Sequence, residues 1–161
     1  MKNRILLFTI LITSQIFAQE TKYPQTDFVA PVNIPMYLSG TFGEMRGNHF
    51  HSGIDIKTNG SEGIPIIAIA DGYVSRIKVS PGGFGKALYI KHPNGYSSVY
   101  AHLQRFSDDI QQYVTKNQYK EESFAVNLFP KAKVFQVKQG DTIAVSGNTG
   151  SSLGPHLHFE I

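Results

Sequence analysis

The chain has 161 residues, of which 41% are hydrophobic and 17% charged, which is ordinary for a globular protein with one hydrophobic core. It contains no cysteine, which excludes disulfide bonds and cysteine-type metal sites, so a metal ion would need His, Asp or Glu ligands. The formal net charge is +3 without clusters of Lys and Arg, which excludes the electrostatic pattern of a nucleic-acid-binding protein.

Residues 1–19 have the pattern of a secretory signal peptide. Lys2 and Arg4 form a short positive start, the apolar stretch 5–12 follows, and 17–19 provides the cleavage region. The apolar stretch is shorter than the roughly 20 residues that a membrane-spanning helix needs. We therefore expect an exported protein, located in the periplasm, in the cell envelope or outside the cell, with no stable membrane anchor after cleavage. Without Lys2 and Arg4, 13 of the 15 basic residues remain against 12 acidic ones.

Short β-branched segments separated by glycine-containing turns predict a mainly β domain. The segment 20–39 is a polar lead-in with several prolines, for which we expect an extended conformation. Strands are predicted in the segments 37–42, 54–57, 64–70, 73–79, 87–91, 96–102, 134–137, 142–146 and 156–161. The turn at Asn94-Gly95 joins two of these strands into a hairpin.

The segment 107–122 interrupts this β pattern. Ser107 is a suitable N-cap, and the two aspartates that follow it favour the N-terminus of a helix. The apolar residues Ile110, Tyr113 and Val114 recur at helical spacing. The sequence therefore predicts one helix here, and the pattern of 123–133 is ambiguous.

Two histidines near the C-terminus are the first candidates for a metal site. His156 and His158 are two residues apart, so that both rings face one side of a strand while Leu157 points to the other side. His51 and Asp55, four residues apart in a segment that favours a strand, add an imidazole and a carboxylate. A His–Asp–His set, with either member of the C-terminal pair as the third ligand, would leave one coordination position open, as in catalytic zinc sites.

The other candidates have simpler explanations beside them. His102 ends a predicted strand and is, with His156, available for proton transfer, but a histidine at a strand end more often has a structural role. His92 precedes the Asn-Gly turn and is expected at the surface, and His49 is expected in a loop. Glu160 shares the face of the C-terminal pair and is a candidate for supporting a ligand, not for binding the metal.

Taken in order, the motifs resemble those of peptidase family M23, the lysostaphin/LytM-type zinc metallopeptidases. The resemblance covers 40–104 and 134–161 and rests on four blocks. These are Phe42-Gly43-Glu44-Met45-Arg46 with His51-Ser52-Gly53-Ile54-Asp55, the apolar strand 64–70 with Asp71-Gly72, Gly82-Gly83-Phe84-Gly85 with Tyr100-Ala101-His102-Leu103, and Gly140-Asp141 with 147–150 and Gly154-Pro155-His156-Leu157-His158-Phe159-Glu160. The family's fold implies a sandwich-like core of antiparallel β-sheets, of the duplicated hybrid motif type, with a groove above the sheet and here one helical insertion.

The resemblance also implies a role for each candidate residue. His51, Asp55 and His158 match the ligands of one zinc ion, and His102 and His156 match the two catalytic histidines that position and polarise the metal-bound water. The implied activity is that of a secreted zinc endopeptidase that hydrolyses peptide cross-links of bacterial peptidoglycan. The alternative is a non-catalytic LytM-like module that binds the cell wall or activates other wall hydrolases. All five positions are filled in this chain, which favours the enzyme.

Two features depart from the family pattern. The insertion 105–133 carries the predicted helix where relatives usually have a much shorter connection. We expect it either to shape the groove, as a wall, lid or docking surface, or to be a surface ornament. The chain stops at Ile161 where relatives commonly continue, as expected for a fragment or a truncated product. The peptidase domain is accordingly assigned to 40–161.

Overall fold

A computed structural model of the chain describes residues 27–161. The predicted signal peptide over 1–19 and the first part of the lead-in lie outside the described residues. Within 27–161, no helix combines the length and the apolar character that crossing a membrane would require.

The described part of the chain forms eleven strands and one α-helix. In chain order these are β1 (Leu38–Gly40), β2 (Ile54–Lys57), β3 (Pro65–Ile67), β4 (Gly72–Val79), β5 (Lys86–Lys91), β6 (Ser97–Ala101), β7 (Arg105–Phe106), α1 (Asp108–Lys120), β8 (Val126–Leu128), β9 (Gln136–Val137), β10 (Thr142–Val145) and β11 (His156–Glu160). The predicted mainly β fold with one helix is confirmed. Two short strands, β7 and β8, were not predicted.

Eight of these strands form the larger sheet, in the order β1-β2-β11-β6-β5-β4-β8, with β9 also paired to β4. Neighbouring strands run antiparallel. The C-terminal strand β11 lies between β2 and β6, so that His158 is opposite Asp55 on one side and Ala101 on the other. This register brings together motifs that are about 100 residues apart in the sequence.

One face of the larger sheet packs on the hydrophobic core. Leu157 and Ile56 are register partners on this face, and both are fully buried. Burial of each such side chain contributes about 1.5–3 kcal/mol to folding. The smaller sheet, in the order β3-β10-β7, supplies Ile66, Ile143 and Phe106 to the same apolar cluster. Because alternate residues of β11 point in opposite directions, His156, His158 and Glu160 lie on the other face.

The segment 105–133, predicted above to be an insertion, is part of the folded core. Its helix α1 buries Ile110 and Val114, and the ring of Tyr113 meets that of Phe135 edge-on at 5.3 Å between centroids. Its strand β8 pairs with β4 and thereby extends the larger sheet. These contacts do not fit the surface-ornament interpretation, since removing the insertion would expose core residues and a sheet edge.

Candidate metal centre

Three side chains converge on the open face of the larger sheet. Asp55 in β2 and His158 in β11 are register partners, and His51 lies in the segment just before β2. The Oδ1 atom of Asp55 is 3.1 Å from Nε2 of His51 and 3.0 Å from Nδ1 of His158, and the two nitrogens are 2.9 Å apart. All three side chains are buried, with exposed fractions of 6%, 8% and 3% for His51, Asp55 and His158. This group is one that could hold a metal ion.

Hydrogen bonds behind the site determine which nitrogen of each ring faces it. Nδ1 of His51 lies 2.8 Å from the carbonyl oxygen of Thr41, and Nε2 of His158 lies 3.0 Å from Oε1 of Glu160. A carbonyl and a carboxylate can only accept, so these two ring nitrogens carry the protons and donate. In the neutral rings, Nε2 of His51 and Nδ1 of His158 therefore present lone pairs to Asp55.

This arrangement favours positive charge at the point of convergence. Three acceptor atoms within 3.1 Å of one another repel each other unless a cation or a shared proton lies among them. Burial would raise the pKa of Asp55, but hydrogen bonds with His156 and His158 and the nearby rings hold it far below its ordinary value. Burial would likewise lower the pKa of His158, but Asp55 and Glu160 raise it. The carboxylate is thus ionised.

Arg46 holds the second oxygen of Asp55. Its Nη2 atom donates to Oδ2 of Asp55 at 2.9 Å and to Oε2 of Glu44 at 3.2 Å. This pairing leaves Oδ1 of Asp55 directed at the histidines. A side chain at Gly40 would collide with both groups, since its Cβ would lie well under 3.0 Å from Arg46 and Asp55. Arg46 belongs to a motif of the family resemblance, but no role was predicted for it from the sequence.

The other two predicted site histidines lie beside this group. Nε2 of His156 is 3.5 Å from Oδ1 of Asp55, while its Nδ1 donates to the carbonyl of Gly154 at 2.8 Å. The rings of His102 and His156 are 4.7 Å apart, and those of His102 and His158 are 6.0 Å apart. The structure therefore brings together all five residues that were predicted to form the site.

The protonation tendencies of His102 and His156 differ. Burial lowers the pKa of His102 to about 4, so this ring is neutral near pH 7. Burial also lowers the pKa of His156, but the hydrogen bonds of this ring with Asp55 and Gly154 outweigh burial, and the pKa is raised. The neutral ring of His102 is thus suited to accept a proton, and the ring of His156 is suited to hold one.

The loops around 82–85 and 147–154 hold His102 in an uncommon conformation. Its φ is 58°, in the left-handed region that non-glycine residues rarely adopt. Its backbone N–H donates to the carbonyl of Phe84 at 3.0 Å, and its Nδ1 donates to the carbonyl of Thr149 at 2.8 Å. The hydroxyl of Thr149 donates in turn to the carbonyl of Leu103 at 2.8 Å. Nε2 of His102 is consequently left for the site.

Close backbone packing joins these two loops. Gly85 and Gly150 both have positive φ, and a Cβ on either would lie well under 3.0 Å from backbone atoms of the opposite loop. Gly85 and Gly150, one from each glycine-rich motif, are therefore needed for the contact that positions His102.

A cleft of about 1000 Å³ opens above the convergent residues. Besides the site residues, Tyr37 and Leu38 of the β1 region, the ring of Phe84, and the loop 151–155 line it. Leu153 at the tip of this loop is fully exposed. The cleft gives access from solvent to the buried group below.

Two predictions about the remaining residues have opposite outcomes. Glu160 does support a predicted ligand, since it accepts from His158 and also from the hydroxyl of Ser52.

The expectation that His92 lies at the surface is wrong, because its exposed fraction is only 5%. Its Nδ1 bonds the carbonyl of Asp71 at 2.9 Å, and its Nε2 meets the hydroxyl of Ser98 at 2.8 Å. Satisfied polar partners, rather than solvent, surround this ring.

Comparison with known proteins identifies similar chains. A sequence model of peptidase family M23 matches residues 49–119. The DD-carboxypeptidase/endopeptidase Mpg of Neisseria meningitidis is 36% identical over 110 residues, which are 68% of this chain and 19% of that protein. The murein hydrolase activator NlpD of Escherichia coli is 36% identical over 121 residues, which are 75% of this chain and 24% of that protein. The chain thus spans about a fifth of the length of these relatives.

A solved structure extends the similarity over most of the fold. The structure of LytU superposes with a TM-score of 0.53 and 30% sequence identity, covering 86% of this chain and 77% of that one. The two chains therefore share a fold over most of their lengths.

Proposed function

The chain belongs to peptidase family M23, and we propose that it is a secreted zinc endopeptidase that hydrolyses peptide cross-links of bacterial peptidoglycan. One observation carries this proposal. His51 and His158 direct lone pairs at an ionised Asp55 carboxylate, in a buried position at the base of an open cleft. We assign these three residues as the ligands of one metal ion.

The donor set supports zinc as that ion. Two imidazole nitrogens and one carboxylate oxygen are ligands that catalytic zinc sites use, with a fourth position left open. Tetrahedral zinc ligands at about 2.0–2.1 Å from the metal are about 3.3 Å from one another. The separations of 2.9–3.1 Å in this group are close to that value, so small side-chain movements suffice.

The surrounding residues supply the remaining functions of a peptidase site. When bound, zinc would act as a Lewis acid toward water and the substrate carbonyl. We assign Nε2 of His102 to accept a proton from the attacking water, because burial keeps this ring neutral. We assign Nε2–H of His156 to donate to the oxygen of the carbonyl under attack. Arg46 and Glu160 orient Asp55 and His158 from behind.

The choice of substrate rests on the relatives and on the predicted export. The Mpg relative is named a DD-carboxypeptidase/endopeptidase, and NlpD is named an activator of murein hydrolases. The predicted signal peptide would deliver the chain to the compartment in which peptidoglycan lies. The open cleft can accept a cross-linked peptide from the side, which a closed pocket would not allow.

A second candidate function comes from the similarity to NlpD, a relative that is named for activating murein hydrolases. Under this alternative the same cleft would bind the wall or a partner hydrolase without cleaving peptide bonds. The presence of all five site residues in one cluster favours the enzyme.

The test uses purified protein from which the signal peptide has been removed. We expect about one zinc ion per chain by metal analysis, and release of cleaved peptides from cross-linked peptidoglycan. The variant His156→Ala should retain the fold and lose cleavage. The control Asp108→Asn, on the exposed start of α1, should retain both the fold and cleavage. Bound zinc without cleavage of any wall type would favour the non-catalytic alternative, and absence of bound metal would refute the ligand assignment.

A further inference from the structure

The face of the larger sheet that carries the proposed ligands continues well beyond them. Glu160, which shares the face of His158, is opposite Val99 in β6. Val99 is in turn opposite Tyr89 in β5, and Tyr89 is opposite Arg76 in β4. Directly paired residues of neighbouring strands project to the same side of a sheet. Arg76 and Tyr89 therefore lie on the same face as the candidate metal centre.

The insertion completes the surroundings of Arg76. Asn127 of β8 accepts a hydrogen bond from Nε of Arg76 at 2.8 Å. The guanidinium carbon lies 4.9 Å from the ring centroid of Tyr89 and 5.6 Å from that of Phe129, within cation–π distance of both rings. Asn127 and Phe129 both belong to 105–133, the segment in which this chain departs from the family pattern.

These contacts orient the guanidinium without using its terminal nitrogens. The bond to Asn127 uses Nε, and no acceptor among residues 27–161 forms a hydrogen bond with either Nη atom. The ring of Phe129 lies beside this guanidinium and is 65% exposed. An oriented arginine with two available Nη atoms next to exposed aromatic surface is suited to a planar anion that has an apolar neighbour.

The charge of this part of the face points to an anionic occupant. The strands β4, β5 and β8 together carry no Asp or Glu, and three of their four charged residues, Arg76, Lys78 and Lys91, lie on this face. Lys78 is opposite Asn127, so it lies on the same face as Arg76. The nearest acid on that face toward the metal centre, Glu160, is already hydrogen-bonded to His158 and Ser52.

We propose that Arg76, Tyr89, Asn127 and Phe129 form a substrate subsite that binds a carboxylate of the peptide substrate. This inference rests on the proposed function and deepens it, because it names a chemical group that the substrate must carry. The Nη atoms of Arg76 bind the carboxylate oxygens, and Phe129 packs against the adjoining apolar part of the peptide. The insertion then serves to extend the substrate-binding face.

The position of this arginine subsite limits where the carboxylate lies in the substrate. Three strand spacings separate β11 from β4, which is about 14 Å at 4.7–4.9 Å per spacing. Arg76 lies in the row of Glu160, two residues along β11 from His158, so the distance to the candidate metal centre is about 16 Å. An extended peptide covers this distance with about five residues, and the subsite therefore selects an acidic group within about five residues of the bond that is cleaved.

The test compares two synthetic peptides that differ in one charge. The first is L-Ala-γ-D-Glu-L-Lys-D-Ala, and the second has D-isoglutamine in place of D-Glu, so that one carboxylate becomes an amide. Each is titrated into the ¹⁵N-labelled protein, and affinity is read from amide chemical shifts. We expect the D-Glu peptide to bind about fivefold more tightly, the effect of one partly exposed Arg–carboxylate pair. The largest shifts should lie near Arg76 and Asn127.

Variants assign the preference to this arginine. Arg76→Gln should reduce the affinity ratio to about one, and Arg76→Lys should retain part of it, because lysine keeps the charge but not the planar fork. Lys116→Gln, on the exposed surface of α1, changes the net charge equally and should leave the ratio unchanged. The amide spectrum of each variant shows whether the fold is retained.

The readout separates this proposal from the proposed function, because binding shifts require neither zinc nor cleavage. Equal affinities for the two peptides, a preference that survives Arg76→Gln, or no shifts near β4 at millimolar peptide would each overturn the subsite. If zinc binding and wall cleavage are observed in the same preparation, such a result removes the subsite alone. If the preference is observed but zinc and cleavage are absent, the subsite stands and the peptidase assignment does not.

Discussion

Replacing Glu160 by alanine should weaken zinc binding without removing any ligand. Glu160 accepts the hydrogen bond from Nε2 of His158 at 3.0 Å and thereby directs the Nδ1 lone pair of that ring toward Asp55. Without the carboxylate, the two tautomers of His158 become closer in energy, and the ring loses the negative charge that makes it a stronger donor. Loss of such a supporting carboxylate typically lowers metal affinity by about 10- to 100-fold, or about 1.4–2.7 kcal/mol.

The size of the effect depends on burial. The side chain of His158 is only 3% exposed, so that solvent cannot replace the missing acceptor. The side chain of Glu160 is 21% exposed, so solvent screens its charge in part. We therefore expect a loss of zinc affinity in the lower half of the 10- to 100-fold range. Glu160→Gln keeps an acceptor for the Nε2 proton and loses only the charge, so we expect less than a tenfold loss.

Competition with a fluorescent chelator at pH 7.5 would measure the zinc affinities. The matched control is Asp108→Asn, which removes a carboxylate from the exposed start of α1. Cleavage of peptidoglycan at saturating zinc should be restored to a large extent in both Glu160 variants. Zinc affinity of Glu160→Ala within twofold of the wild type would refute the tautomer argument. An equal loss in Glu160→Gln and Glu160→Ala would show that charge alone is responsible.

Three further predictions concern ligands, backbone packing and pH. His51→Ala should lose bound zinc, whereas His102→Ala should retain it and lose turnover; loss of zinc in both would contradict the division between ligands and catalysts. Gly150→Ala should lower the unfolding free energy by several kcal/mol through positive φ and backbone overlap, while Gly47→Ala, with open space around it, should change it by less than about 1 kcal/mol. Burial raises the pKa of Tyr100 to about 12, so the folded state binds a proton that the unfolded state releases near pH 10. The unfolding free energy should therefore fall by about 3 kcal/mol between pH 10 and 12. In Tyr100→Phe, the unfolding free energy measured by denaturant titration at each pH should fall less over the same pH range.

The candidate site was largely predictable because three of its residues, Asp55, His156 and His158, lie on strands in which side chains alternate regularly. The alternation of β11 places His156 and His158 on one face, and any antiparallel partner of β11 then presents its own side chains to them. Spacing could not decide which of the two histidines belongs with Asp55. The family resemblance indicated His158, and the observed register, with His158 directly opposite Asp55, supports that choice.

Other contacts could not be predicted because they depend on packing between segments far apart in the sequence. Strands β7 and β8 have two and three residues, too few for any periodicity to appear. The burial of His92 depends on Ser98 across a hairpin and on a backbone carbonyl, neither of which a turn motif reveals. The partner of Arg46 is Asp55, nine positions away in β2, so the motif alone shows a charged residue without its role.

The structure divides the site between two kinds of support. Asp55 and His158 are held by strand register in the interior of the larger sheet, where a shift by one residue would turn both side chains into the core. His102 is held by carbonyls of two glycine-rich loops, in a backbone conformation that is unfavourable by itself. Small movements of these loops would displace His102, the proposed proton acceptor, while leaving the proposed ligands in place. Substitutions in the loops should therefore act mainly on turnover, and substitutions at Asp55 in β2 or His158 in β11 mainly on metal affinity.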